Sequence, residues 1–297
     1  MNKRPLFGAD SNALTWLIII NAVVFVLLNF IKIIYYLTDT PVAFFDTQIL
    51  NWWVLSNNPD TFITRPYTLL TYMFTQVSVF GVIANMLWLW MFGYILQDLT
   101  GNRKLIPIYL YGGVIGGIVF VATTNMFAGF AMGTPYIMGA GAAVMAVAVA
   151  TTTLAPDYRL FQMINGGIPL WIITLIYVAI DFAFVASANG GYALAHLSGA
   201  LIGFIFIKQV QRGNDWGEWM VRFWYWLDDL FNPEKKHSKP SREQHYYKAT
   251  GTPYKKTPNI TQQRVDALLD KINQKGYHFL TDEEKDFLKK ASEQNQL

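Results

Sequence analysis

The chain has 297 residues, of which 53% are hydrophobic and 16% aromatic, while 14% are charged against roughly 25% in an ordinary soluble domain. Its 20 acidic and 23 basic residues cluster in the first few positions, in short connections and after residue 207, which excludes a single soluble globule and points to a membrane protein. The absence of cysteine removes disulfides, Cys-based zinc sites and a thiol nucleophile, and four His in all argue against a His-rich cage, so neither metal nor cofactor nor a nucleic-acid partner is expected.

Apolar stretches long enough to cross a bilayer, about 20 residues each, fall at 13–36, 67–97, 106–125, 136–155, 168–186 and 192–208. The expected fold is therefore all-α: a polytopic bundle of six transmembrane helices over 13–208, preceded by a cytoplasmic N-terminus, 1–12. The first stretch has no small-residue cleavage site and reads as a retained anchor. Lys3 and Arg4, Arg103 and Lys104, Arg159 and the Lys-rich tail occupy alternate connections, whereas the opposite ones carry only Arg65; by the positive-inside rule both termini face the cytoplasm. A bacterial cytoplasmic membrane is the expected location, with membrane lipid as a partner.

The connection 37–66 is rich in Phe44, Phe45, Trp52, Trp53 and Leu55. Its aromatic rings either lie at the headgroup level or are covered by helices of the loop itself. After the last span, 209–231 carries Trp216, Trp219, Met220, Phe223, Leu227 and Leu230 at helical spacing opposite Glu218, Arg222, Asp228 and Asp229, the pattern of an interfacial amphipathic helix. A linker, 232–260, follows; within 232–258 it has seven Lys or Arg against two Glu, suited either to an anionic leaflet or to service as a solvated tether. In 261–297, Val265, Leu268, Leu269 and Ile272 form one stripe, Gly276 ends that helix, Thr281 and Glu284 make a capping box, and Phe287, Leu288 and Ala291 give the next helix its apolar side. This is a small helical hairpin, expected to be cytoplasmic and open to a cytoplasmic protein partner.

Polar and ionisable residues inside a membrane are costly and mark function. Span two has Asn85, span four opens with Gly139-Ala140-Gly141-Ala142-Ala143, and span six contains Ala195-His196-Leu197-Ser198-Gly199 running on to Gly203. Gly199 and Gly203 form a GxxxG pair that admits a close helix neighbour, the small-residue start of span four being its natural partner; Ile207 reads as lipid-facing. His196 is either a base or a packed histidine bonded to a neighbouring carbonyl.

The order of these segments resembles the rhomboid family of intramembrane serine proteases over about residues 12–208: Arg65 before PYTLLTYMFTQ, NMLWLWMFG at 85–93, GAGAAVMA at 139–146 and AHLSGALIG at 195–203. The hairpin also resembles a short C-terminal extension of some bacterial members. The resemblance implies a serine nucleophile at the start of span four, a histidine base in span six, and an oxyanion site formed by a histidine and an asparagine in span two. Carried over residue by residue, His196 holds the base position and Asn85 the oxyanion asparagine, but Gly141 stands at the nucleophile and Gly81 at the oxyanion histidine; Gln76 likewise stands where many relatives have histidine. Glycine has no hydroxyl to attack with, and Ser198, Thr151 to Thr153 and Ser78 are poorly placed to substitute. Asp181 is expected to pair with a polar neighbour or face an aqueous cavity. The resemblance thus implies a pseudoprotease that binds or escorts transmembrane segments of other proteins. The alternatives are an active intramembrane serine endopeptidase with a non-standard site, and a structural membrane subunit that recruits a partner through its hairpin.

Overall fold

The computed structural model describes residues 12–131, 133–161, 163, 166–187, 189–220, 222, 223, 226 and 262–294. They form two units, one within 1–232 and one within 233–297.

In the first unit α1 (Ala13–Leu37) starts where the Asn12 side chain accepts from the amides of Leu14 and Thr15, satisfying donors that a helix start leaves unpaired. The loop after it folds into α2 (Val42–Gln48), a 3₁₀ turn at Leu50–Trp52, β1 (Leu55–Ser56), α3 (Pro59–Thr64) and α4 (Thr68–Thr71). Then come α5 (Val79–Thr100), α6 (Leu105–Met126), α7 (Ala128–Ala131), β2 (Tyr136–Ile137), α8 (Gly141–Leu154), β3 (Arg159–Leu160), β4 (Ile168–Pro169), α9 (Leu170–Phe184) and α10 (Gly190–Gln211). β1 pairs antiparallel with β2, Leu55 opposite Ile137, and β3 with β4, Arg159 opposite Pro169. These two-residue ladders add to a mostly helical fold what the all-α expectation did not include: each gives the backbone of a tight loop a hydrogen-bonding partner, which periodicity in the apolar runs does not report.

Four helices, α1, α5, α6 and α10, have the length and apolarity to cross a membrane; α8 and α9, though apolar, have 14 and 15 residues. Three expected spans are shorter than drawn; the fifth, 168–186, keeps only α9, its first two residues lying in β4. Residues 67–78 do not belong to the second long helix: they form α4, a 3₁₀ turn at Tyr72–Phe74 and an extended stretch, and α5 starts only where Ser78 Oγ accepts from Gly81 N at 3.3 Å. Likewise 136–140 supplies β2 and a turn through Gly139, whose φ of +108° favours glycine, so α8 starts at Gly141. At the other end α10 continues to Gln211, three residues past the expected boundary.

α8 lies between α6 and α10 and is buried over most of its length. Its contacts are nearly backbone on backbone. A Cβ on Gly199 would stand 2.2 Å from the Ala142 carbonyl oxygen and one on Gly203 2.2 Å from that of Ala146, while on the α6 side Gly112 and Gly116 press on the methyls of Ala146 and Ala142. Lipid tails are as apolar as leucine, so helices inside a membrane are held by close packing rather than by the hydrophobic effect, and small residues make that packing possible. Ile207 proves fully buried, correcting its reading as lipid-facing; the exposed side of α10 carries Leu201 and Phe204 instead.

Outward, α1 presents Val26, Leu27 and Phe30, each more than half exposed, and α9 presents Leu175, Ile176 and Ile180. Continuous apolar faces of this kind have lipid as their solvent. In the first loop Phe45, Leu50 and Val54 are buried in a cluster with Leu28 of α1, but Trp52 and Trp53 remain about half exposed, and the Arg65 guanidinium lies over the Trp52 ring at 3.8 Å. Of 209–231, a helical segment begins at Glu218; residues 221, 224, 225 and 227–231 lie outside the described ones. Its start is anchored by an ion pair of Asp215 with Lys104 and by the Trp219 indole donating to Tyr111 Oη at 2.7 Å.

The second unit has two helices, Gln262–Lys275 and Asp282–Gln294, joined by Gly276 at φ +88° and a 3₁₀ turn at Tyr277–Phe279. Leu268, Leu280 and Phe287 form its small core, whereas Leu269 is half exposed. Glu284 accepts from Thr281 N at 2.9 Å while Thr281 Oγ1 accepts from Glu284 N at 3.4 Å, the reciprocal pair of a capping box. The expected linker, 232–260, lies outside the described residues.

Candidate functional site

Three helix starts and one loop converge at one end of the first unit. Gly141 is the first residue of α8, Asn85 lies in the second turn of α5, and His196 faces them from the second turn of α10. A Cβ on Gly139 would lie 3.8 Å from Asn85 Nδ2, and one on Gly81 4.0 Å from Gln76 Oε1, so the residues singled out in separate segments share one small volume.

The geometry between Gly141 and His196 is the most telling. A Cβ on Gly141 would stand 2.1 Å from His196 Nε2 and 2.5 Å from Cε1. The imidazole therefore occupies the space a side chain at 141 would need. On its other side His196 Nδ1 lies 3.0 Å from Asp181 Oδ2 in α9, and both side chains are mostly covered. Nε2 has no hydrogen-bond partner among the described residues. A carboxylate so placed orients the ring, as the third member of a hydrolytic triad does, and Asp181 is the polar neighbour of His196 as well as a residue facing a cavity.

The oxyanion side is also occupied. Asn85 Nδ2 donates to Gln76 Oε1 at 2.8 Å, Gln76 Nε2 to Asn21 Oδ1 at 3.1 Å, Asn21 Nδ2 to Tyr109 Oη at 3.2 Å, and Tyr109 Oη to the Met73 carbonyl at 3.1 Å. Asn21 and Tyr109 are fully buried and Gln76 nearly so. Every donor in this chain points the same way, and such runs strengthen one another in a dry interior. Asn21 escaped the sequence reading although the rule that flagged Asn85 applies to it equally, because it sits in the middle of the first apolar stretch.

No described hydroxyl bonds to the His196 ring. Ser198 Oγ donates to the Ala195 carbonyl at 2.7 Å, Thr151 Oγ1 to those of Val147 and Phe92, and Ser78 caps α5. Among the described residues no group of three His, Asp or Glu side chains converges that could hold a metal ion. The arrangement offers an oriented base and an asparagine donor without the alcohol that family chemistry attacks with.

A polytopic helical membrane protein with this base and this packing core falls in one class. The rhomboid domain matches residues 64–212, half of the chain, and the chain belongs to the rhomboid family. A second family, of unknown function (DUF6576), matches residues 253–294. The chain is 25% identical over 162 residues to RHOMBOID-like protein 12, mitochondrial, of Arabidopsis thaliana, covering 50% of this chain and 48% of that one. It is 29% identical over 179 residues to presenilin-associated rhomboid-like protein A, mitochondrial, of Danio rerio (56% and 44%), and 29% identical over 160 residues to the Homo sapiens presenilin-associated rhomboid-like protein, mitochondrial (51% and 39%). It thus spans less than half the length of these curated relatives.

Proposed function

We propose that this rhomboid-family chain is a six-span pseudoprotease that binds or escorts transmembrane segments of other membrane proteins without cutting them. One observation carries the reading: position 141 is glycine and the His196 ring fills the place of its side chain. With no alcohol there, attack on a carbonyl and formation of an acyl-enzyme have no nucleophile. The engagement of Asn85 by Gln76 supports it, since one of the two amide N–H donors that could meet a developing oxyanion already has an acceptor.

The same reading places α8 and α9 as the fourth and fifth spans, short ones completed by their flanking turns, with 1–12, the linker and the hairpin in the cytoplasm; the Lys and Arg asymmetry supports this. It keeps the bacterial cytoplasmic membrane as the compartment, while the word mitochondrial in the relatives' names is said of those proteins.

Binding of a fluorescent transmembrane peptide to the purified protein in micelles, with fluorophosphonate labelling run in parallel, tests the proposal. Saturable binding with an intact peptide and no label is expected. Cleavage, or labelling of the wild-type chain, overturns it. The Asp181–His196 pair at 3.0 Å favours, as a second reading, an endopeptidase with a non-standard site, and the same assay decides between them. The separate core of the hairpin, with Tyr277 and Phe279 exposed beside it, favours an added role in recruiting a cytoplasmic protein.

A further inference from the structure

Beside the His196–Asp181 pair lies a cavity of about 370 Å³ lined by Thr134, Asp181, Phe184, Asn189, Tyr192 and Ala193. We propose that it is a binding site for the ammonium group of a lysine flanking the transmembrane segment of a client protein. The inference rests on the binding role above and names what in the client is recognised.

Charge comes first. Asp181 is the only charged residue in the lining. One of its oxygens takes the His196 Nδ1 contact, and Oδ1 has no hydrogen-bond partner among the described residues. The last turn of α9 supplies Asp181 and Phe184 and, as a helix C-terminus, a partial charge of the same sign; the first turn of α10 opposes it. The carboxylate therefore decides the sign of the site, and a cation is what it accepts.

Shape and position narrow the cation. Phe184 and Tyr192 are among the lining residues, and aromatic rings suit an ammonium group, while Thr134 and Asn189 make the rest of the lining polar. The cavity is bounded by the end of α9 and the beginning of α10. At the ends of membrane-crossing helices lysines lay their stems along apolar surface and lift their heads toward the polar boundary. Through Asp181 the cavity also adjoins the Gly141–His196 locus.

The test uses two transmembrane peptides that differ only in a flanking lysine or its uncharged isostere norleucine, titrated against the full chain in dodecyl maltoside micelles, which contain no amine. Wild-type protein should bind the lysine peptide roughly tenfold more tightly, the worth of one charge-assisted hydrogen bond in a half-open site. Asp181→Asn should bind both peptides alike, and Asp181→Glu should restore the preference. Equal binding of the two peptides by wild-type protein overturns the inference and leaves the binding role standing, whereas failure to bind either peptide overturns the binding role itself. Loss of the preference on adding phosphatidylethanolamine would show that a lipid headgroup takes the site, and would equally overturn the client lysine. Thermal melts of each variant separate a lost site from a lost fold.

Discussion

Gly203→Ala adds one methyl group, and the structure makes that methyl expensive. Its carbon would stand 2.2 Å from the Ala146 carbonyl oxygen, where ordinary contact begins near 3.4 Å, so α10 and α8 would have to part by about 1.2 Å. The obstacle is backbone, which no rotamer change relieves. Nor can α8 retreat, because on its far side the methyls of Ala146 and Ala142 already touch the glycines of α6. Overpacking of this kind costs about 1–3 kcal/mol, offset by a gain of about 0.8–1 kcal/mol for alanine over glycine in a helix. A net loss of up to about 2 kcal/mol follows, toward the upper end because the obstacle is backbone, and Gly203→Leu should lose more. Leu201→Ala, on the exposed face of the same helix, serves as the control, expected to change stability by no more than about 0.5 kcal/mol. Reversible unfolding in mixed micelles with rising dodecyl sulfate fraction reads the difference. If Gly203→Ala were as stable as wild type, the α8–α10 interface would not be the rigid close approach described here.

Other outcomes follow from the polar groups. Asn21→Ala leaves Gln76 Nε2 and Tyr109 Oη without their partner in a buried chain, so it should cost about 2–3 kcal/mol in the same unfolding assay, and a cycle of Gln76→Ala with Asn85→Ala should show coupling above about 0.5 kcal/mol. Gly141→Ser forces the His196 ring away from its present place, so it should lengthen the Asp181 contact and label weakly with a fluorophosphonate; adding Gly81→His, a position where a Cβ meets only ordinary contacts, should raise labelling by restoring a donor of the kind worth about a hundredfold or more, and His196→Ala should abolish it. In the hairpin, the hydrogen bond from Lys271, followed by that from Thr281, holds the Glu284 carboxyl below its usual value of 4.5. A lowered carboxyl contributes its stability above the unfolded value and loses it as pH falls through the folded one, so amide exchange at the start of the second hairpin helix should quicken below about pH 4.5, and Thr281→Ala should remove part of that pH dependence.

Composition and period disclosed the broad outline because a bilayer writes directly on sequence: backbone groups in hydrocarbon must be satisfied within a helix, so a span has to be a long apolar run. The small-residue faces around Gly199, Gly203 and Ala142 were legible for the same reason, since nothing larger lets helix axes approach so closely. The loss of the alcohol at Gly141 needed only the resemblance. Tertiary structure alone decided what fills the site. That the His196 ring lies over Gly141, that Asp181 in another helix holds the ring's far nitrogen, and that Asn21 and Gln76 join Asn85 to Tyr109 are contacts between residues 9 to 88 positions apart. Their partners are set by how helices cross, and no local periodicity encodes them. The shortened α5 and α8 were hidden because the residues ahead of each are as apolar as a span. What turns them into loop is hydrogen bonding to distant backbone, as when Thr71 reaches Trp53 and Gly139 reaches Tyr72, and an apolar residue satisfies its backbone equally well in a short ladder, a turn or a helix.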